Sequence, residues 1–148
     1  MLALIRIRGN AGKKNEKNET LRMLNLEKKN RCTIVPETKN YIGMIRKAKD
    51  MITWGEIDQE VLKKLVEKRG RTEHDEKLSE EILKREKTKI DDIVKKIMEG
   101  KVKETIIKPY FRLTPPSKGF KGSVKQHYPR GALGNRKEEI NNLIKRMM

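Results

Sequence analysis

The sequence predicts an α+β fold: a β-α-β-α-β unit over residues 1–57, continued by a helical stretch over 58–108 and an irregular, basic segment with a final helix over 109–148. Three observations support this. Short apolar runs alternate with helix-period stripes through the first 57 residues. Only helical stripes follow as far as Lys108. Pro109, Pro115, Pro116 and Pro129 then interrupt both periodicities before an amphipathic run closes the chain.

The run from Leu2 to Arg8 reads as a strand whose end alternates apolar and basic residues. Gly9 to Lys17 is a polar, Lys-rich loop, and Leu21, Met23 and Leu24 mark a short helix over roughly 18–26. Arg31 to Val35 is a second strand, stopped by Pro36. Thr38 can cap a helix whose buried stripe is Tyr41, Met44, Ile45 and Ala48. Ile52 to Ile57 completes a compact two-layer unit.

Asp58 is placed to cap a helix carrying Val61, Leu62, Leu65 and Val66, which stops at Gly70. Ser79 opens a shorter one with Ile82 and Leu83. Thr88 and Asp91 resemble a capping box before Ile90, Ile93, Val94 and Ile97, and Gly100 ends that helix. Residues 109–135 read as irregular and extended. Asn135, with Glu138 three residues on, caps a last helix bearing Ile140, Leu143, Ile144 and Met147. That helix is expected to pack back on the core.

Charge narrows the function. The chain has 37 Lys plus Arg against 21 Asp plus Glu, a formal net charge of +16. Such an excess calls for a polyanion, and nucleic acid is the common one. The surplus is not spread evenly: residues 1–57 carry +7, residues 58–108 only +2, and residues 109–148 again +7. The middle reads as ordinary solvated helix surface and the two ends as the electrostatic footprint. Segment 109–135 holds no acid at all.

The richest stretch runs from Pro109 to Gly122, mixing aromatics, cations, glycine and proline. Arg112, Lys118, Lys121, Lys125 and Arg130 are candidates for phosphate contact, and Arg136 follows them. Tyr110, Phe111 and Phe120 are read as pins that hold the segment to the core. A second group is Lys13, Lys14 and Lys17, with Lys28, Lys29 and Arg31 before the second strand, and Arg46 and Lys47 on the helix after it. The segment is expected to be ordered by core and RNA together.

Catalysis finds no home. There is no phosphate-binding glycine loop, no metal signature and no nucleophile motif. Asp91-Asp92 and Glu138-Glu139 sit at helix starts, where the helix dipole accounts for them. Cys32, the only cysteine, reads as a small core residue, and His74 and His127 as solvated loop histidines. No catalytic residue, metal site, cofactor, small-molecule substrate or membrane span is expected, and the location expected is cytosolic.

At Thr20-Leu21, Leu24-Asn25-Leu26, Asn40 to Ile57, Phe111-Arg112-Leu113, Pro115-Pro116, Lys118 to Gly122 and Gly131 to Arg136, the sequence resembles the large-subunit ribosomal protein L-thirty family, called L-seven in eukaryotes. The family pattern commonly has Leu-Gly-Leu where this chain has Leu24-Asn25-Leu26; Asn also tolerates a left-handed turn position. The resemblance implies a three-stranded, mainly antiparallel, ferredoxin-like sheet covered by two helices, with the C-terminal extension of archaeal and eukaryotic members. Lacking the long basic arm of eukaryotic members, the chain is similar to the archaeal type. The resemblance further implies a non-enzymatic constituent of the large ribosomal subunit, in contact with ribosomal RNA and neighbouring ribosomal proteins. The alternatives are a non-ribosomal RNA-binding assembly or translation factor and an RNA-processing enzyme with an unrecognised carboxylate.

Overall fold

Strand β1, Leu2–Arg6, is buried at every residue, and this places it at the centre of the molecule. Alternate strand residues point to opposite faces, so Leu2 and Leu4 enter one apolar cluster while Ala3 and Ile5 enter another. A strand apolar on both sides needs cover on both sides. The computed structural model, which describes residues 1–9 and 15–148, shows that cover.

On the first face lie helix α1, Asn15–Met23, and helix α2, Lys39–Ala48. Leu21, Leu24 and Leu26 meet Ile45, Ala48 and Met51 over Leu2, Leu4, Val35 and Ile52, with Tyr41, Met44 and Trp54 at the margin. Helix α1 begins three residues before the expected start and ends in a left-handed turn at Asn25 (φ 58°). Leu26 N donates to Leu21 O at 2.7 Å and Asn25 N to Arg22 O at 2.9 Å, the paired closure of a Schellman turn. Thr38 caps α2 as expected, its side chain accepting from Tyr41 N.

The opposite face is covered by α3, Gln59–Arg69, α5, Ile90–Met98, and α6, Ile140–Met147. Val61, Leu62, Leu65, Val66, Ile93, Val94, Ile97, Leu143, Ile144 and Met147 close over Ala3, Ile5, Cys32 and Ile34. Burial pushes the Cys32 thiol up to about 12. The architecture is therefore three layers, helix–sheet–helix, where two were expected. The short α4, Glu80–Arg85, caps on Ser79 as read. Thr88 and Asp91 form no capping box: Thr88 Oγ1 donates to Glu86 O, and Asp91 takes Lys63 Nζ at 2.7 Å.

The sheet has six strands, not three. β2 is Arg31–Val35, β3 Ile52–Glu56, β4 Phe111–Arg112, β5 Ser123–His127 and β6 Gly131–Asn135, in the order β4-β2-β1-β3-β6-β5. The first three and β4 pair antiparallel, β6 runs parallel to β3, and β5 lies parallel to β6 with an irregular register. The three additional strands come from the stretch read as irregular. β4 has two residues, β6 has no β-branched residue and β5 is exposed throughout, so none of them carries a strand periodicity. Asn135 ends β6, and its Oδ1 accepts from Lys137 N to start a 3-10 turn, Lys137–Glu139, ahead of α6.

Candidate nucleic-acid interface

The antiparallel register decides where the cations go. Because β1 opposes both neighbours, its last residues lie beside the first of each: Ile5 faces Cys32 and Arg6 faces Ile52. Everything that follows β1 or precedes β2 and β3 is thus brought to one end of the sheet. Lys28, Lys29 and Arg31 arrive there ahead of or at the start of β2. Arg46 and Lys47, in the last turn of α2, and Lys49 arrive ahead of β3. Arg112 pairs with Arg31 across β4–β2, and Arg130 immediately precedes β6, which starts beyond the beginning of β3. At the other end stand Glu37, Glu56 and Asp58. Lys39 and Lys137 stand among these acids, so what distinguishes the first end is its group of exposed cations without ion pairs among the described residues.

One buried arginine fixes the base of this end. Arg6 donates from Nη1 to the carbonyl of Leu26 at 2.8 Å and to that of Glu27, and from Nε to Arg8 O at 2.9 Å. These bonds hold the turn that presents Lys28 and Lys29, both exposed. Asn30 N returns to Arg6 O at 2.8 Å, and Leu113 N reaches Asn30 O at 3.0 Å.

The acid-free segment crosses the same end, from the β4 edge to the β5 edge. It is pinned at four places. Thr33 Oγ1 donates to Pro109 O at 2.7 Å; Phe111 is buried; Thr114 N and Ser117 N donate to Met147 O and Arg146 O of α6; Phe120 packs on Ile7, Ala132 and Leu133. Phe111 and Phe120 thus act as pins, as read. Lys118, between the last two pins, and Lys121, Lys125 and Arg130, beyond Phe120, stand exposed. Gly131 permits the tight return of the chain, since a Cβ there would lie 2.1 Å from Gln126 O.

The fourteen expected contact residues divide by their surroundings. Lys13 and Lys14 lie outside the described residues. Lys28, Lys29, Arg46, Lys47, Lys118, Lys121, Lys125 and Arg130 are exposed and make no ion pair among the described residues. Three are paired. Lys17 Nζ sits 2.9 Å from Asp50, which also has His127 Nε2 at 3.6 Å; the Lys17 hydrogen bond holds the Asp50 carboxyl below its ordinary range. Arg31 contacts Glu27 at 3.2 Å and lies 4.3 Å from the centre of the Tyr110 ring. Arg112 meets Asp75 at 3.0 Å, beside Lys108 at 2.9 Å, and the Tyr110 hydrogen bond and Asp75 hold its guanidinium up.

Arg136 differs from the rest. It is buried, donates from Nε to Thr53 Oγ1 at 3.1 Å and from Nη2 to Ala132 O at 3.0 Å, and lies 5.1 Å from the Tyr128 ring centre. Desolvation lowers its guanidinium from the ordinary value. Sequence reading passed over Arg8, Lys145 and Arg146, which share this end. Lys145 and Arg146 had an ordinary explanation as cations in the last turn of a helix.

Among the described residues no cluster of His, Cys, Asp and Glu could hold a metal ion, and no helix is long and apolar enough to cross a membrane. The surface offers an open groove of about 760 Å³ between α1 and α2, lined in part by Lys17, Lys39 and Lys47.

Comparison with known proteins gives a consistent result. A family model described as ribosomal protein L30p/L7e matches residues 2–52. Large ribosomal subunit protein uL30 of Methanococcus vannielii is 43% identical over 151 residues, covering 99% of this chain and 98% of its own. Proteins of the same name from Nanoarchaeum equitans and Archaeoglobus fulgidus are 45% and 42% identical, each over 99% of this chain and over 97% and 99% of theirs.

Proposed function

The chain belongs to the L30p/L7e family of ribosomal proteins and is a structural constituent of the large ribosomal subunit; we propose that it works there by holding ribosomal RNA against the basic end of its sheet. The observation that carries this reading is the convergence of three separate basic stretches on one end of the strands. Eight exposed cations there have no acid partner among the described residues. Phosphate neutralisation is the contact such a surface makes, and it positions RNA without reading sequence.

The nearly neutral middle, net +2 over residues 58–108, is the side we assign to neighbouring ribosomal proteins. We assign the protein no catalytic role, and its place is with ribosomes in the cytoplasm. Cosedimentation tests the proposal. Labelled protein added to archaeal large subunits lacking their own copy should stay with mature particles in moderate salt. Recovery only with immature particles would instead identify an assembly factor. Multiple turnover on ribosomal RNA in magnesium would identify an enzyme.

A further inference from the structure

Beside the limb that carries Lys118 and Lys121, a cleft of about 350 Å³ opens against α6, lined by Lys121, Arg136, Glu139, Asn142, Lys145 and Arg146. We propose that this cleft is a phosphate seat, taking one phosphodiester group of the RNA backbone. The inference rests on the RNA-binding reading above and adds to it a particular site.

Four cations from three elements share this small space with one carboxylate. The helix dipole explains Lys145 and Arg146 in the last turn of α6, but it explains neither Lys121 of the limb nor Arg136 after β6. The two arginines are already held in place. Arg136 is fixed by Thr53 and Ala132, while Arg146 donates from Nε and Nη2 to Ser117 O at 3.1 and 2.6 Å and from Nη2 to Gly119 O. Each therefore binds through Nε and Nη2, and Nη1 is not used in these bonds. A guanidinium ordered beforehand loses little freedom when an anion arrives.

Glu139 offsets part of the charge on Arg136 but forms no ion pair with any member of the group. Its Oε2 accepts from Asn142 Nδ2 at 3.2 Å, and no cation among the described residues lies within ion-pair distance of it. Burial foremost lowers Arg136; the charges of Tyr128 and Glu139 raise it in part, and the nearby charge of Arg146 lowers it. An anion between them removes that repulsion. RNA is favoured over an acidic protein segment because the cleft adjoins the acid-free limb and lies at the basic end of the sheet.

The test uses the full chain, protein-free archaeal large-subunit RNA, inorganic phosphate and polyglutamate. The variant Lys121→Gln/Lys145→Gln changes two exposed side chains with no ion pair among the described residues, and circular dichroism checks its fold. The log–log salt slope for the RNA should fall by roughly 0.7 to 0.9, the share of one phosphate. Arginine side-chain NMR signals of Arg136 and Arg146 should shift with inorganic phosphate, not with chloride at equal ionic strength, and the RNA should displace the phosphate. A wild-type slope in the folded double variant overturns the seat and leaves RNA binding intact. A wild-type protein that does not bind the RNA overturns both. Phosphate that the RNA cannot displace, or displacement by polyglutamate alone, overturns the assignment to an RNA phosphodiester.

Discussion

Arg146 and Ser117 bind each other in both directions: Ser117 N donates to Arg146 O at 2.9 Å, and Arg146 Nε donates to Ser117 O at 3.1 Å. The last turn of α6 thereby carries the start of the basic limb, and the helix that completes the core also sets the interface. This gives the limb graded order. In the free protein, amides of Ala132 and Leu133 in buried β6 should exchange slowly, and those from Lys118 to Gln126 orders of magnitude faster. Bound RNA should slow the second group. Arg146→Met should extend fast exchange back to Ser117. Strong protection from Lys118 to Gln126 without RNA would show that the core alone orders the limb.

Binding should be steeply salt-dependent. Replacing Lys118, Lys121 and Lys125 together with Gln should lower the log–log slope by roughly 0.7 to 0.9 for each phosphate left without its cation. Replacing Lys64, Lys84 and Lys87 of the near-neutral middle should leave it unchanged. Equal reductions from both triple variants would mean that net charge, not place, governs binding.

Thr53 links β3 to β6. Its fully buried hydroxyl donates to Gly134 O at 2.8 Å and accepts from Arg136 Nε at 3.1 Å. Thr53→Val keeps the volume, removes one of the bonds to the Gly134 carbonyl and leaves a buried guanidinium proton unpaired, costing roughly 1–3 kcal/mol. Thr53→Ser keeps both bonds and should cost about 1 kcal/mol for the missing methyl group. Urea midpoints with unchanged m-values would report the difference.

Two glycines should respond in opposite directions. Gly43 lies in α2 with open space where a Cβ would go, so Gly43→Ala should stabilise by about 0.5–1 kcal/mol through helix propensity. At Gly55 a Cβ would lie 2.0 Å from Lys137 O and 2.9 Å from Ile140 Cβ. Gly55→Ala must push the start of α6 away, at a cost of about 3 kcal/mol. Thermal midpoints of the two variants should fall on either side of the wild type.

Asp75 accepts from Lys108 Nζ and Arg112 Nη1, and the Lys108 bond foremost holds its carboxyl below the ordinary range. A carboxyl depressed in the folded state adds stability that is present above its unfolded pKa of about 3.9 and lost as pH falls through its folded value. Wild-type stability should therefore decline below about pH 4 more steeply than that of Asp75→Asn. Parallel curves in that range would show that the pair does not survive in solution.

What the sequence determined by itself was whatever has a local cause. β1 to β3, α1 and α2 followed from apolar runs, helix spacing and the Thr38 cap, and α3, α5 and α6 followed from their apolar stripes. The excess of positive charge and its division between the two ends of the chain were also plain. What only the tertiary structure decided has causes distant in the chain. Phe111-Arg112 is a strand because Arg31-Cys32 lies beside it, and Gly131 to Asn135 because β3 offers an unpaired edge. The third layer exists because Ala3, Ile5, Cys32 and Ile34 leave an apolar face that α3, α5 and α6 must cover. The basic end exists because β1 runs antiparallel to both neighbours. Strand pairing sets which loops share an end, and no window of sequence holds that register.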